Sequence, residues 1–247
     1  IIVPIKNAEE VDAVFDAISY CKGSCVVNMV NAIIGVDAFR TGLIAYFKKH
    51  SYGNATTDDL WQAWSDASGK DIASMMSLWT MRKGYPYLTV VSESWEETSV
   101  TFTLEQNYFL SDGTGKTAED NPIWQIPLLF ASNKSIVPKT CEIMTEKRQT
   151  FTVDFGTSKK EEQWVKINSG QKALCRVAHS TEMIARLQPA IAQATISGVD
   201  RAALLLDSYE LAKAGLCEPE VLIDLLNCMQ DEDEAIVWSA LSTVLGG

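Results

Sequence analysis

Val100-Thr101-Phe102-Thr103-Leu104-Glu105-Gln106-Asn107-Tyr108 alternates with a period of two. Val100, Phe102, Leu104, Gln106 and Tyr108 share one face of an extended chain, and Thr101, Thr103, Glu105 and Asn107 share the other. Only a strand places successive side chains on opposite faces, so this stretch predicts β-structure. Gly84-Tyr85-Pro86 marks its upstream limit, since glycine frees a turn and proline cannot continue a helix. Downstream, short strand-like runs recur at 124–131, 141–144, 150–155, 163–167 and 173–177, and 87–91 precedes the quoted stretch. About seven such strands divided by turn-rich pieces predict a β-sandwich.

On either side the period becomes helical. Upstream, Asn7 and Glu10 form a capping pair for a helix with Val11, Val14, Phe15 and Ile18 on one face. Val26, Val27, Met29, Val30, Ile33 and Ile34 pattern a second helix, for which Gly35 is a suitable stop. Asp37 can cap a third through Phe39, Leu43, Ile44 and Phe47, Thr57 a fourth with Leu60, Trp61 and Trp64, and Asp71 a fifth with Ile72, Met75, Met76 and Trp79. From about Ser180 the helical period returns. Leu204, Leu205, Tyr209 and Ala212 lie on one helix, Pro219 sits in the first turn of the next, and Ile236, Val237, Ala240, Leu241 and Val244 mark the last. Paired helices of this kind predict the start of an α-solenoid.

The 247 residues carry a net charge of −11, with no clustered lysine and arginine. That argues against nucleic-acid and anionic-membrane surfaces, which require such clusters to neutralise phosphates. The longest apolar run, 123–131, is broken by Gln125 and Pro127 and is too short to span a bilayer, so no membrane segment is expected. Six cysteines scattered among apolar residues read as reduced core thiols and a reducing compartment. The chain opens on Ile1 without an initiator methionine and closes on Gly247 directly after an amphipathic segment. It reads as a piece of a longer protein.

Few groupings point to chemistry. Ser111-Asp112-Gly113-Thr114-Gly115-Lys116-Thr117 has the outline of a phosphate loop. Leu110, however, stands where its first glycine belongs, and no apolar helix follows to offer N–H groups. A hairpin turn is the expectation. Cys21 and Cys25 have a spacing that metal ligands use, yet no further ligand lies nearby, and they read as buried thiols. His50, at a helix end, and His179, at a strand-to-helix junction, belong to no His-Glu-x-x-His or Ser/His/Asp pattern and read as surface or junction residues. Asp231-Glu232-Asp233-Glu234 reads as a solvated cap in keeping with a helix dipole, and Trp61, Trp64 and Trp79 read as core. Tyr20 stands between two helical segments, beside Ser19 and before Lys22 and Gly23. By its chemistry, both packing and projection into a cleft remain open.

The segment Phe15-Asp16-Ala17-Ile18-Ser19-Tyr20-Cys21-Lys22-Gly23-Ser24-Cys25-Val26-Val27-Asn28-Met29 resembles a motif of the zinc aminopeptidases of the puromycin-sensitive and aminopeptidase N family. Phe39-Arg40-Thr41-Gly42-Leu43, continuing through Tyr46 to Trp61, is similar to the helical end of their catalytic domain, and Trp79-Thr80 with Gly84-Tyr85-Pro86 to its exit. Val165 to Gln171 and Asp200 to Asp207 resemble the last β-sandwich strands and the entry to the C-terminal helices. The resemblance implies a multi-domain α and β chain. Residues 1–84 would be the helical tail of a thermolysin-like catalytic domain, 85–178 a β-sandwich, and 179–247 the first helices of a superhelical domain.

In that family the tyrosine of Ser-Tyr-x-Lys-Gly donates a hydrogen bond to the oxyanion of the tetrahedral intermediate, and the role falls on Tyr20. A phenol with a reference pKa near ~10 stays protonated at neutral pH and can donate where negative charge develops. The family's His-Glu-x-x-His, its later glutamate ligand and its Gly-x-Met-Glu-Asn strand do not occur in this sequence. The resemblance therefore implies a parent enzyme that uses zinc to remove N-terminal residues from peptide substrates. This piece would bind no zinc and be inactive without an upstream catalytic portion. A non-catalytic interaction scaffold is the alternative, against which the retained Tyr20 speaks. The free thiols favour the cytoplasmic branch.

Overall fold

A computed structural model describes residues 15–117 and 121–246, which divide into two compact units. The first contains described residues 15–83 with 172–174; the second contains 84–171 and 175–246, residues 118–120 apart. Most of the helix expected from Asn7 lies outside the described residues.

The first unit is helical. A π-helical turn, Ile18–Lys22, runs without interruption into α1, Gly23–Lys49, so no break separates Tyr20 from the helix that follows it. Val26, Met29, Val30 and Ile33 form its buried face at helical spacing. Gly35 adopts φ 79° and ψ 161°, open to glycine at little cost, and breaks the helical path. The break frees backbone carbonyls, and the Lys70 ammonium takes that of Ile33 at 2.7 Å. Helix α2, Thr57–Ser68, is capped by Thr56 rather than Thr57: the Thr56 hydroxyl accepts from the Asp59 N–H while the Asp59 carboxylate accepts from the Thr56 N–H. Thr57 already has helical geometry and cannot serve. Helix α3, Ile72–Met81, takes Asp71 as its cap. Trp61, Trp64 and Trp79 are all buried, and Trp64 stacks on Phe39 at 4.8 Å while its indole N–H donates to the Phe39 carbonyl.

Helix 18–49 is long and apolar enough to cross a membrane by length and composition alone, a candidate that continuous apolar runs do not reveal because a period-3.6 helix accumulates apolar residues between polar ones. The break at Gly35 leaves two pieces, each shorter than the roughly 20 residues a bilayer core requires.

The second unit mixes sheet and helix. A four-stranded sheet has the order β6-β2-β1-β8, formed by Arg148–Asp154, Ser99–Tyr108, Pro86–Trp95 and Arg176–Ala178. Strand β2 is antiparallel to β1 and β6, whereas β8 joins β1 in parallel. Two strand pairs accompany it: β3, Ile126–Leu128, with β5, Glu142–Met144; and β4, Phe130–Ser132, with β7, Val165–Ile167. Phe102, Phe130 and Phe151 from β2, β4 and β6 meet with ring centroids 5.1–6.1 Å apart. The face read as Val100, Phe102, Leu104 and Gln106 is buried, and Gln106 exchanges hydrogen bonds with the Trp124 backbone in both directions. Glu105 and Asn107 on the opposite face are buried as well; Glu105 pairs with Arg148 and Asn107 accepts from Lys147.

The stretch 111–117 forms a turn and a short 3₁₀ segment in which Asp112 accepts from the Thr114 N–H and hydroxyl. It is not a hairpin, because β2 and β3 pair with other strands. Helices α4, Thr181–Ala192; α5, Gly198–Lys213; α6, Pro219–Asn227; and α7, Ala235–Gly246, follow. Their core includes Ile184, Leu187, Leu204, Leu205, Leu225 and Val237, together with Ala131 and Trp164 from the β region.

Candidate functional site

Tyr20 lies in the π-helical turn, and such turns arise where a helix accommodates one extra residue, often at functional positions. Its N–H donates to the Asp16 carbonyl at 3.2 Å, and the Asp16 carboxylate accepts from the Ser19 N–H at 2.6 Å. The Ser19 hydrogen bonds hold the Asp16 carboxyl below its ordinary pKa. At the other end, the N–H of Gly23 is shared between the carbonyls of Ser19 and Tyr20. Lys22 reaches from the turn to the Arg82 carbonyl at 2.7 Å, where α3 ends. The Tyr20 side chain is 65% exposed, with the Phe15 ring 6.5 Å away. A neutral phenol displayed on such a turn can donate to an anionic oxygen. The sequence offers Tyr20 as a candidate but gives no sign of the contacts that Asp16 and Lys22 make around it. Their spacing from Tyr20 was visible, whereas the π turn and the partner on α3 were not.

Other candidates fare differently. Cys21 is exposed and Cys25 only partly covered, which corrects their reading as buried thiols; of the six free cysteines only Cys175 is buried. Cys21 lies in the π-helical turn, none of whose residues is buried, and Cys25 stands at the edge of the buried face of α1. His50 and Asp59 approach to 3.6 Å in a pocket of about 290 Å³ between α1 and α2, also lined by Lys49 and Asp66. Asp59 is already committed to the α2 cap, and hydrogen bonds from Thr56, followed by the charges of His50 and Lys49, hold its carboxyl below the usual range.

His179 is not at the surface. It is 8% exposed and its Nε2 accepts from the Ile167 N–H at 3.4 Å. Burial, then the nearby Lys166 ammonium, pushes its pKa well below that of ordinary imidazole. Lys166 itself is buried, donates to the Ile167 carbonyl at 2.6 Å and stands 3.7 Å from Asp200. Burial raises the Asp207 carboxyl to about 6, against the pull of Arg176 and Lys166.

The acidic run 231–234 is only partly a solvated cap. Glu232 is 3% exposed in its side chain and forms a two-pronged pair with Arg201, itself 2% exposed, at 2.7 Å on each side. The helix spacing of α5 carries Arg201 inward, and the buried guanidinium draws Glu232 from the surface. Among the described residues, no group of three His, Cys, Asp or Glu side chains could hold a metal ion. The described residues by themselves therefore do not fit a zinc centre.

Residues 1–79 match the peptidase family M1 domain and residues 164–247 the ERAP1-like C-terminal domain. The chain is 36% identical over 240 residues to the alanine/arginine aminopeptidase of Saccharomyces cerevisiae, covering 97% of this chain and 26% of that protein. Over 243 residues it is 36% identical to the puromycin-sensitive aminopeptidase of Caenorhabditis elegans, covering 97% and 25%. Aminopeptidase 2 of Candida albicans is 34% identical over 244 residues, covering 99% and 25%. The chain thus spans about a quarter of the length of the curated relatives it matches.

Proposed function

We propose that the chain, whose residues 1–79 match the peptidase family M1 domain and residues 164–247 the ERAP1-like C-terminal domain, forms part of a zinc metallo-aminopeptidase that hydrolyses N-terminal residues from peptides. The relatives' names support this activity, and the observation that carries a role for this piece is Tyr20, displayed on a π-helical turn. In this reading the protonated Tyr20 hydroxyl donates to the oxygen on which charge gathers as the peptide carbonyl becomes tetrahedral. Such a donor accelerates the reaction because its hydrogen bond strengthens only as charge develops.

The described residues do not fit the family's zinc, so we place that metal on residues outside this chain and route no step through it. Domain limits at 1–84, 85–178 and 179–247 belong to the same reading: a catalytic-domain tail, a β-sandwich and the first helices of a superhelical domain. The changes of period at Gly84-Tyr85-Pro86 and near Ser180 support them. A cytoplasmic setting is proposed from the six free thiols, and fractionation of cells producing the full-length protein would check it.

The test of Tyr20 is steady-state kinetics of the full-length protein bearing Tyr20→Phe. We expect kcat to fall on the order of 100- to 1,000-fold with KM little changed, the pattern of an interaction made only in the transition state. An unchanged kcat would remove Tyr20 from the mechanism. Complete inactivity of the unaltered full-length protein toward aminoacyl substrates would favour a scaffold instead.

A further inference from the structure

The side chain that fixes the π-helical turn is not Tyr20 but Lys22, two residues on. An α-helix advances about 100° per residue, so absorbing an extra residue between Ile18 and Lys22 rotates what precedes it relative to α1 by about that amount. If the turn relaxed to regular helix, the Tyr20 phenol would swing to another face. Two anchors oppose that relaxation. Before Tyr20, Asp16 accepts from Ser19 through its carboxylate and from Tyr20 through its carbonyl. After it, the half-buried Lys22 ammonium donates at 2.7 Å to the carbonyl of Arg82, the residue that closes α3 sixty positions along the chain. The first anchor is local and moves with the turn. The second ties the turn to a separate element, and α3 is held in turn by buried Ile72, Met76 and Trp79.

We propose that Lys22 is a positioning residue for catalysis, directing the Tyr20 hydroxyl by pinning the π-helical turn to the C-terminal end of α3. The inference rests on the reading of Tyr20 as the oxyanion donor. Its chemistry is that of a charged donor on a carbonyl at a helix end, where the backbone dipole already favours a cation. Burial lowers the Lys22 pKa from the ordinary lysine value, in keeping with an ammonium held against protein atoms rather than water.

The experiment is a double-mutant cycle in the full-length enzyme, with Tyr20→Phe, Lys22→Met and both together, and with Lys22→Arg as the conservative variant. A misplaced catalytic group costs on the order of 10- to 100-fold, so Lys22→Met should lower kcat by that factor while KM holds within about twofold. Lys22→Arg keeps a cationic donor and should recover most of the loss. In the Tyr20→Phe background, Lys22→Met should have an effect below about twofold, because the group it positions is already gone. A full further loss in that background would show that Lys22 acts independently of Tyr20 and would overturn the proposal. So would an undiminished kcat in Lys22→Met while Tyr20→Phe is impaired, which would leave the oxyanion reading standing. An active Tyr20→Phe removes both. If Lys22→Met does not fold, Lys22→Gln enters the same cycle under the same criteria.

Discussion

Tyr20 and Gly42 show how differently two residues of one helical segment are constrained. On the function proposed above, Tyr20 is specified by its chemistry, since a hydroxyl donor at that place on the turn is what a developing oxyanion requires. Gly42 is specified by space. A Cβ built there would lie 2.5 Å from Trp64 Cδ1 and 3.0 Å from the Ala63 carbonyl oxygen, so α1 and α2 approach at a point where only a hydrogen atom fits. Alanine would improve helix propensity by about 1 kcal/mol, yet the buried Trp64 ring has no room to retreat. We therefore expect Gly42→Ala to destabilise the first unit by about 1–3 kcal/mol, as overpacking does. Urea unfolding followed by tryptophan fluorescence would measure it, and a stabilised variant would contradict the close approach.

Among the elements, α5 carries the clearest burden. Ser197 caps it, Asp200 accepts from the Gly170 N–H and the Ser169 hydroxyl, and Asp207 accepts from the Val177 N–H, so the helix is hydrogen-bonded to chain leaving β7 and to β8. On its other side Arg201 holds Glu232, in the segment ahead of α7, and also the Ile196 carbonyl, just ahead of α5 itself. Removing one member of a buried pair leaves the other charge uncompensated, which costs more than the pair itself contributes. Glu232→Gln should accordingly lower stability by about 3 kcal/mol. Chemical denaturation with an unchanged m-value would register the loss, and a change below 0.5 kcal/mol, the scale of a surface substitution, would show that the pair is solvated.

At the scale of the molecule, each unit is organised by a different balance. The first is a helical stack of aromatic rings; the second joins strands to helices around buried Lys166, Cys175, His179, Asp200 and Asp207. This polar centre makes stability depend on pH. His179 has a depressed pKa in the fold and an ordinary one, near ~6.5, when unfolded, so the unfolded chain binds more protons as pH falls below that value. Its contribution is present above ~6.5 and is lost on acidification. Asp207 acts in the opposite sense, since the folded state holds its proton up to about 6. His179→Gln removes only the first effect, and its Tm should fall less steeply below pH ~6.5 than that of the unaltered chain. Parallel Tm profiles would show that His179 does not govern the acid limb. The sequence by itself determined the helix, strand, helix order of periods, the cap at Asp71, the first-turn place of Pro219 and the tryptophan core, because these depend on neighbours within one turn or one pleat. The shift of the α2 cap to Thr56 lay one residue beyond that resolution. The burial of His179 and Glu232, the exposure of Cys21 and the anchoring of Lys22 on Arg82 were decided only by tertiary structure. Each depends on which distant group supplies or withholds a partner, and local periodicity carries no record of it.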